Sequence, residues 1–124
     1  MLFKNIRSVT DAYLKLYEDM HYNVDNNVVT INKHNFEIEL RDESDYIKWF
    51  DYLCEFAIDK RQCSFIVIRY GLSNGVGRTL DEAGELLQCS AEHVRAQIQT
   101  AFRKLNHASN MRRTCSRWVG EDTK

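Results

Sequence analysis

The sequence predicts a mainly α-helical protein, α+β overall, on the strength of three observations. Apolar residues recur every three or four positions along most of the chain, which is the spacing of one helix face. One segment instead alternates apolar and polar residues, as a β-hairpin does. The 124 residues include no proline and 44% apolar residues, so one core of ordinary size can form without breaks in these patterns.

Residues 1–57 are predicted to form an acidic unit of helix, hairpin and helix. Residues 8–20 have helical spacing, with Ser8 or Thr10 available as the N-cap. The alternating segment, "NVVTINKHNFEIEL", covers residues 27–40 and turns at "NKHN". Helical spacing then returns, and Ser44 or Asp45 is expected to cap the second helix.

Three further helices are predicted between residues 59 and 105, each opened by a capping residue. Asp59 precedes the first, which is expected to stop at Gly71 because glycine tolerates the left-handed conformation that ends helices. Thr79 and Glu82 have the spacing of a capping box at the start of the second. Ser90 caps the third and longest helix.

The second and third of these helices, "TLDEAGELL" and "AEHVRAQIQTAFRKL", are separated only by a tight turn. Gly84 is small enough to let another helix cross closely. The apolar spacing of the longer helix leaves a polar face near its N-terminal end, made of Ala91, Glu92, Arg95, Ala96 and Gln99. Such an arrangement predicts a helix-turn-helix, whose second helix enters the major groove of DNA.

The net charge of −1 divides unevenly between the two halves of the chain. Residues 1–59 hold 6 Lys or Arg against 12 Asp or Glu, which gives −6; residues 60–124 hold 11 against 6, which gives +5. This asymmetry favours a polyanionic partner for the C-terminal half and a different contact for the N-terminal half. The alternative is that both halves only present solvated charged faces.

No catalytic, metal or cofactor site is indicated. The four cysteines, Cys54, Cys63, Cys89 and Cys115, form no C-x-x-C pair and are interpreted as reduced thiols in apolar helical patterns. The segment "SNGVGR" lacks the G-K-[ST] ending of a phosphate-binding loop, and no histidine motif is present. No signal peptide or transmembrane segment is apparent, so we expect a soluble cytoplasmic protein with no membrane partner.

Several separate segments also resemble region 4 of the sigma-70-type sigma factors of bacterial RNA polymerase. The matching segments are "FIVIRYGL", "RTLDEAGELL" and "AFRKLNHAS", in a region from residue 58 to about residue 119, with residues 120–124 left as a tail. The resemblance implies a helix-turn-helix that binds the −35 promoter element. Residues 1–57 resemble no sigma region, and the chain is too short to hold a complete sigma factor.

The resemblance also implies a set of DNA-facing positions: Arg78, Thr79, Ser90, Ala91, Glu92, His93, Arg95, Gln99, Arg103, Lys104, Arg112 and Arg113. Three positions of the predicted recognition helix depart from the family. Ala91 replaces an arginine that reads guanine, His93 replaces a second arginine, and Ala96 replaces a glutamine. Because each good bidentate base contact is worth about 1–3 kcal/mol of discrimination, we expect weakened preference for the standard hexamer. The basic residues expected to supply charge for phosphates are Arg103, Lys104, Arg112, Arg113 and Arg117.

A polymerase-binding surface is implied as well, in the apolar concavity that grips the flap of the polymerase β subunit. Its candidates are Phe65, Ile68, Tyr70, Phe102 and Leu105, with core packing as the alternative for at least half of them. The leading hypothesis is a stand-alone regulator, encoded by a bacteriophage or other mobile element, that binds promoter DNA or RNA polymerase and redirects transcription in the nucleoid. The alternative is a protein-interaction module that docks on polymerase or a sigma factor without DNA. A homodimer remains open.

Overall fold

A computed structural model describes residues 8–122 of the chain, with side chains to residue 120. Within this range it contains six helices and one three-stranded antiparallel sheet of order β1-β2-β3. The elements are α1 (Val9–Asp19), β1 (Asn23–Asp25), β2 (Val28–Lys33), β3 (Phe36–Leu40), α2 (Glu43–Phe56), α3 (Lys60–Tyr70), α4 (Leu80–Leu87), α5 (Ala91–Asn106) and α6 (Ala108–Asp122). The predicted mainly α, α+β fold class is confirmed.

The hairpin is confirmed as β2 and β3, in a register that pairs Ile31 with Ile38. Its alternating apolar residues point into the core, because successive side chains of a strand lie on opposite faces. The short strand β1 extends the sheet by pairing Val24 with Val29. Three residues are too few to show alternation, so the sequence patterns did not predict β1. Asn26 and Asn27 make the tight turn between β1 and β2, with φ of 51° and 63°.

Helix α1 begins as predicted, with the Ser8 hydroxyl accepting a hydrogen bond from the Asp11 amide at 3.0 Å. The predicted caps of α2 were wrong by a few residues. Asp42 is the N-cap, and its carboxylate accepts from the Asp45 amide at 2.9 Å. Asp45 lies within the first turn, where a carboxylate is stabilised by the helix dipole.

The capping residues of α3, α4 and α5 are confirmed. Asp59 forms a capping box with Gln62, Thr79 forms another with Glu82, and Ser90 accepts from the amide three residues on. Helix α3 stops at Gly71, whose φ of 75° lies in the left-handed region. Helix α6 had not been predicted as an element, and it continues through residues 120–122, which the sequence analysis assigned to a tail.

The two halves of the chain share one core. The buried cluster includes Trp49 and Leu53 from α2 together with Ile66 from α3 and Met111 from α6. Ring contacts cross between the halves, such as the edge-on contact of Trp49 with Trp118 at 5.5 Å between centroids. Residues 8–57 are therefore packed against the helix-turn-helix rather than tethered beside it.

The interpretation of all four cysteines as reduced thiols was wrong for two of them. Cys54 and Cys63 form a disulfide, with their Cα atoms 5.9 Å apart. The corner between α2 and α3 brings them within the range that a disulfide needs, although nine positions separate them in sequence. Cys89 and Cys115 are free thiols.

Candidate nucleic-acid interface

One face of α5 is exposed along its whole length. The residues of this outer face are Glu92, Arg95, Ala96, Gln99, Arg103 and Asn106. Val94, Ile98, Ala101 and Leu105 lie on the opposite side and are buried, as 3.6 residues per turn requires. The predicted outward polar face near the N-terminal end of α5 is thus confirmed, with Ala91 at its edge and partly buried.

The turn between α4 and α5 fixes how this face is presented. A Cβ added to Gly84 would lie 2.6 Å from the Cys89 carbonyl oxygen, so only glycine permits the close crossing. Gln88 takes the left-handed conformation, with φ of 59°, and the Cys89 amide donates to the Gly84 carbonyl at 2.9 Å. The Ser90 hydroxyl then caps α5 by accepting from the His93 amide at 3.0 Å. These contacts hold the two helices in helix-turn-helix geometry.

Glu92 and Arg95 form an ion pair on the outer face. The Arg95 guanidinium donates to both carboxylate oxygens, one of them at 3.2 Å from Nε. The hydrogen bond from Arg95 lowers the pKa of Glu92, so the carboxylate stays charged at neutral pH. Because exposed pairs contribute little to stability, either partner can exchange the other for a base edge or a phosphate at small cost.

His93 points away from the outer face and packs against α3. Its ring lies edge-on to Phe65, with centroids 5.8 Å apart, and its Nε2 is 3.5 Å from the Arg61 guanidinium. Arg61 was missed as a candidate because it lies 32 positions before His93 and meets it only through helix packing. In the sequence Arg61 is recognisable only as a basic residue, and no pattern connects it with α5.

Three other residues predicted to contact DNA use their side chains for hydrogen bonds within the protein. The Arg78 guanidinium donates to the Ile68 carbonyl at 3.3 Å, which fastens the start of α4 to the end of α3. The hydroxyls of Thr79 and Ser90 serve as helix caps. DNA contacts at these positions would have to come from remaining donors, including backbone amides at the two helix N-termini.

The predicted basic residues divide between two places. Arg103 and Lys104 line an open cavity of about 330 Å³ where α5 meets α6, together with Thr100, His107, Ser109 and Asn110. Arg112 is exposed on α6. Arg113 donates to the Phe56 carbonyl at 3.1 Å, and Arg117 lies over the Phe56 ring at 5.6 Å. The last two therefore hold α6 against the end of α2.

The predicted polymerase-binding residues are mostly core residues. Phe65, Tyr70 and Leu105 are buried, with exposed fractions of 3%, 4% and 0%. A partner cannot contact them without opening the core, so for these three the core-packing alternative holds. Ile68 and Phe102 are partly buried and pack against the same core. Only these two of the five reach the surface.

Tyr70, at the end of α3, links the N-terminal and C-terminal halves of the chain. The Tyr70 hydroxyl donates to the Asp19 carboxylate of α1 at 2.6 Å. Burial, followed by this hydrogen bond and the carboxylate's charge, raises the pKa of Tyr70 well above its ordinary value. The phenol is therefore neutral over the physiological range, and α1 covers the end of α3.

Among the described residues, no three His, Cys, Asp or Glu side chains lie close enough together to bind a metal ion. Across residues 8–122, every helix is too short or too polar to cross a bilayer.

Comparison with known proteins identifies the segment that carries the outer face. No curated protein sequence matches the chain. Residues 57–107 match the family model of sigma-70, region 4, and this range contains α3, α4 and α5. The match ends where α6 begins, and it includes both helices of the helix-turn-helix. Residues 57–107 are therefore similar to sigma-70 region 4, a family of DNA-binding regulatory domains.

Proposed function

We propose that this chain is a stand-alone region 4 regulator that binds promoter DNA through the outer face of α5 and redirects transcription by bacterial RNA polymerase. It would act in the cytoplasm of a bacterial or phage-infected cell. The observation that carries the proposal is the exposed polar face of α5, held by a capped helix-turn-helix within the segment that matches region 4. Region 4 domains as a family bind promoter DNA and RNA polymerase.

Base recognition would depend on few side chains. Glu92 can accept from cytosine, Arg95 can donate to guanine and Gln99 can pair with adenine. Ala91 and Ala96 offer only methyl groups, which suit thymine. Since each lost bidentate contact removes about 1–3 kcal/mol of discrimination, we expect sequence preference to be weaker than a full set of polar residues would give.

Phosphate contacts would supply most of the affinity. Arg103 and Lys104 at the α5–α6 cavity place cations next to the outer face, and Arg112 is exposed on α6. Each phosphate neutralised releases counterions, so binding should weaken steeply as salt is raised.

A second candidate function is a protein-interaction module that keeps the region 4 fold for docking on RNA polymerase or a sigma factor. The observation that favours it is the negative charge beside the outer face. Asp81, Glu82 and Glu85 are exposed on α4, and Glu92 already holds Arg95. These carboxylates oppose a DNA backbone, and a basic protein surface would suit them better. A second copy of the chain is a further partner to test.

A charge-reversal variant separates the two candidates. In Arg95→Glu with Arg112→Glu, both substitutions fall on exposed side chains. The matched control, Lys33→Glu with Arg41→Glu, changes the net charge equally at two exposed positions, one beside the hairpin turn and one after the far end of β3. Gel shifts with promoter DNA and pull-downs with bacterial RNA polymerase would be run on both variants at low and moderate salt.

The regulator proposal expects the first variant to lose DNA binding and the control to keep it. The docking alternative expects polymerase binding in both variants and DNA binding in neither. Equal DNA binding by the two variants would overturn the placement of DNA on α5. Failure of the unmodified protein to bind either partner at low salt would overturn both candidates.

A further inference from the structure

The disulfide between Cys54 and Cys63 spans the corner where the region 4 match begins. Cys54 lies in the last turn of α2 and Cys63 in the first turn of α3, on either side of residues 57–59. Both residues are partly exposed. Cys115, in contrast, is fully buried, and burial raises the pKa of its thiol to about 11. Of these three cysteines, the bonded pair alone is open to reagents in solution.

The residues next to Cys63 support α5 directly. Arg61 lies 3.5 Å from His93 of α5, and Gln62 accepts a hydrogen bond from Lys104 at 3.2 Å. A change in the position or mobility of the first turn of α3 therefore reaches both the start and the end of α5.

The residues next to Cys54 are tied to α6. The Phe56 carbonyl, left without an intrahelical partner at the end of α2, accepts from Arg113 at 3.1 Å. The disulfide thus joins α2 to α3 at a corner whose residues contact both α5 and α6.

We infer that Cys54 and Cys63 form a reversible redox site that sets the mobility of this corner and of the outer face of α5. In the cytosol, where the proposed function places the chain, protein disulfides are mostly transient and redox-sensing rather than structural. The first turn of a helix favours the thiolate form, which is the reactive one. Cys63 lies in the first turn of α3.

The chemistry requires one oxidant and one reductant, of common cellular classes. Attack of one thiolate on hydrogen peroxide gives a sulfenic acid and releases hydroxide, which takes up a proton to become water. The other thiolate then displaces hydroxide from the sulfenic sulfur, and this hydroxide takes up the second thiol proton to become water, so two thiols and one peroxide give one disulfide and two waters. A dithiol reductant reverses the bond by two exchange steps and leaves as its own disulfide.

The first part of the test measures the bond in the full-length protein. The protein would be reduced with dithiothreitol, oxidised with hydrogen peroxide or glutathione disulfide, blocked with N-ethylmaleimide and digested with trypsin. Cleavage after Lys48, Lys60, Arg61 and Arg69 leaves residues 49–60 joined to residues 62–69 only when the bond is present. Cys89→Ser is the matched control and should still give the joined peptide, whereas Cys54→Ser with Cys63→Ser should not.

The second part measures amide hydrogen exchange in the oxidised and reduced wild-type protein, so it needs no variant to fold. Reduction should speed exchange roughly tenfold or more at residues 57–64 and at the first turn of α5, because the closed loop no longer restricts the corner. Residues 28–40 of the sheet should not respond. The double serine variant should show the fast rates with or without oxidant.

Two outcomes would overturn the inference. One is that no joined peptide forms under either oxidant at neutral pH. The other is that the peptide forms while exchange at the corner and in α5 stays unchanged. The inference does not depend on which partner the helix-turn-helix binds, so failure of DNA or polymerase binding would leave both readouts intact.

Discussion

Replacing Gly84 with alanine tests whether the close crossing of α4 over the turn fixes the helix-turn-helix. The new Cβ would lie 2.6 Å from the Cys89 carbonyl oxygen, where ordinary contact begins at 3.4 Å, so the two backbones must separate by 0.8 Å (3.4 − 2.6). Overpacking of this kind costs about 1–3 kcal/mol. Alanine has a higher helix propensity than glycine, and this difference offsets up to about 1 kcal/mol of the cost. The two effects together are expected to lower the free energy of unfolding by up to about 2 kcal/mol.

Gly120→Ala is the matched control, because the same added methyl group meets nothing within 4 Å. It lies near the end of α6, so only part of the propensity gain is expected, about 0.5 kcal/mol. Urea denaturation followed by circular dichroism gives both free energies. If Gly84→Ala proved as stable as the wild type or more so, the close crossing would not be what positions α5.

Four more changes test other parts of the structure. Cys54→Ser with Cys63→Ser should lower the free energy of unfolding by about 2.5 kcal/mol relative to the oxidised protein, from loop closure over a separation of 9 residues, and should match the reduced protein. Leu105→Ala should cost about 2–5 kcal/mol in urea denaturation, since the side chain is fully buried rather than a partner contact. Burial raises the pKa of the Tyr13 hydroxyl from 10.0 to about 12, because the folded protein favours the neutral phenol. The neutral phenol therefore contributes fully to stability below about pH 10, and this contribution is lost as the pH rises through 12. Denaturation midpoints should fall over that window. If the regulator proposal holds, Arg103→Ala should weaken promoter binding in gel shifts and reduce the slope of log affinity against log salt by about 0.9.

Local signals were enough to predict most elements of this chain. The caps at Ser8, Asp59, Thr79 and Ser90 depend on side chains within three residues of the amides that they satisfy, so a short window contains the whole interaction. The same reasoning placed the outer face of α5, because 3.6-residue periodicity separates the buried and exposed sides. It failed for β1, which is too short to show a period, and for α6, whose boundaries no clear signal marked.

The orientation of individual site residues depended on packing between distant segments. His93 faces Arg61 and Phe65 of α3, and Arg113 faces the end of α2, although both were predicted to contact DNA. Burial separated Phe65, Tyr70 and Leu105 from the surface for the same reason. Periodicity shows which side of a helix is apolar and leaves open which neighbour covers it.

The sequence by itself determined the helical class, the helix-turn-helix and its resemblance to region 4, because these depend on residue types at short fixed spacings. Tertiary structure alone decided that residues 8–57 share a core with that domain, through contacts such as Tyr70 with Asp19, 51 positions apart. It also decided that Cys54 and Cys63 are bonded, because the α2–α3 corner sets the distance between them. Contacts between distant segments depend on how elements pack, and no local pattern records that packing.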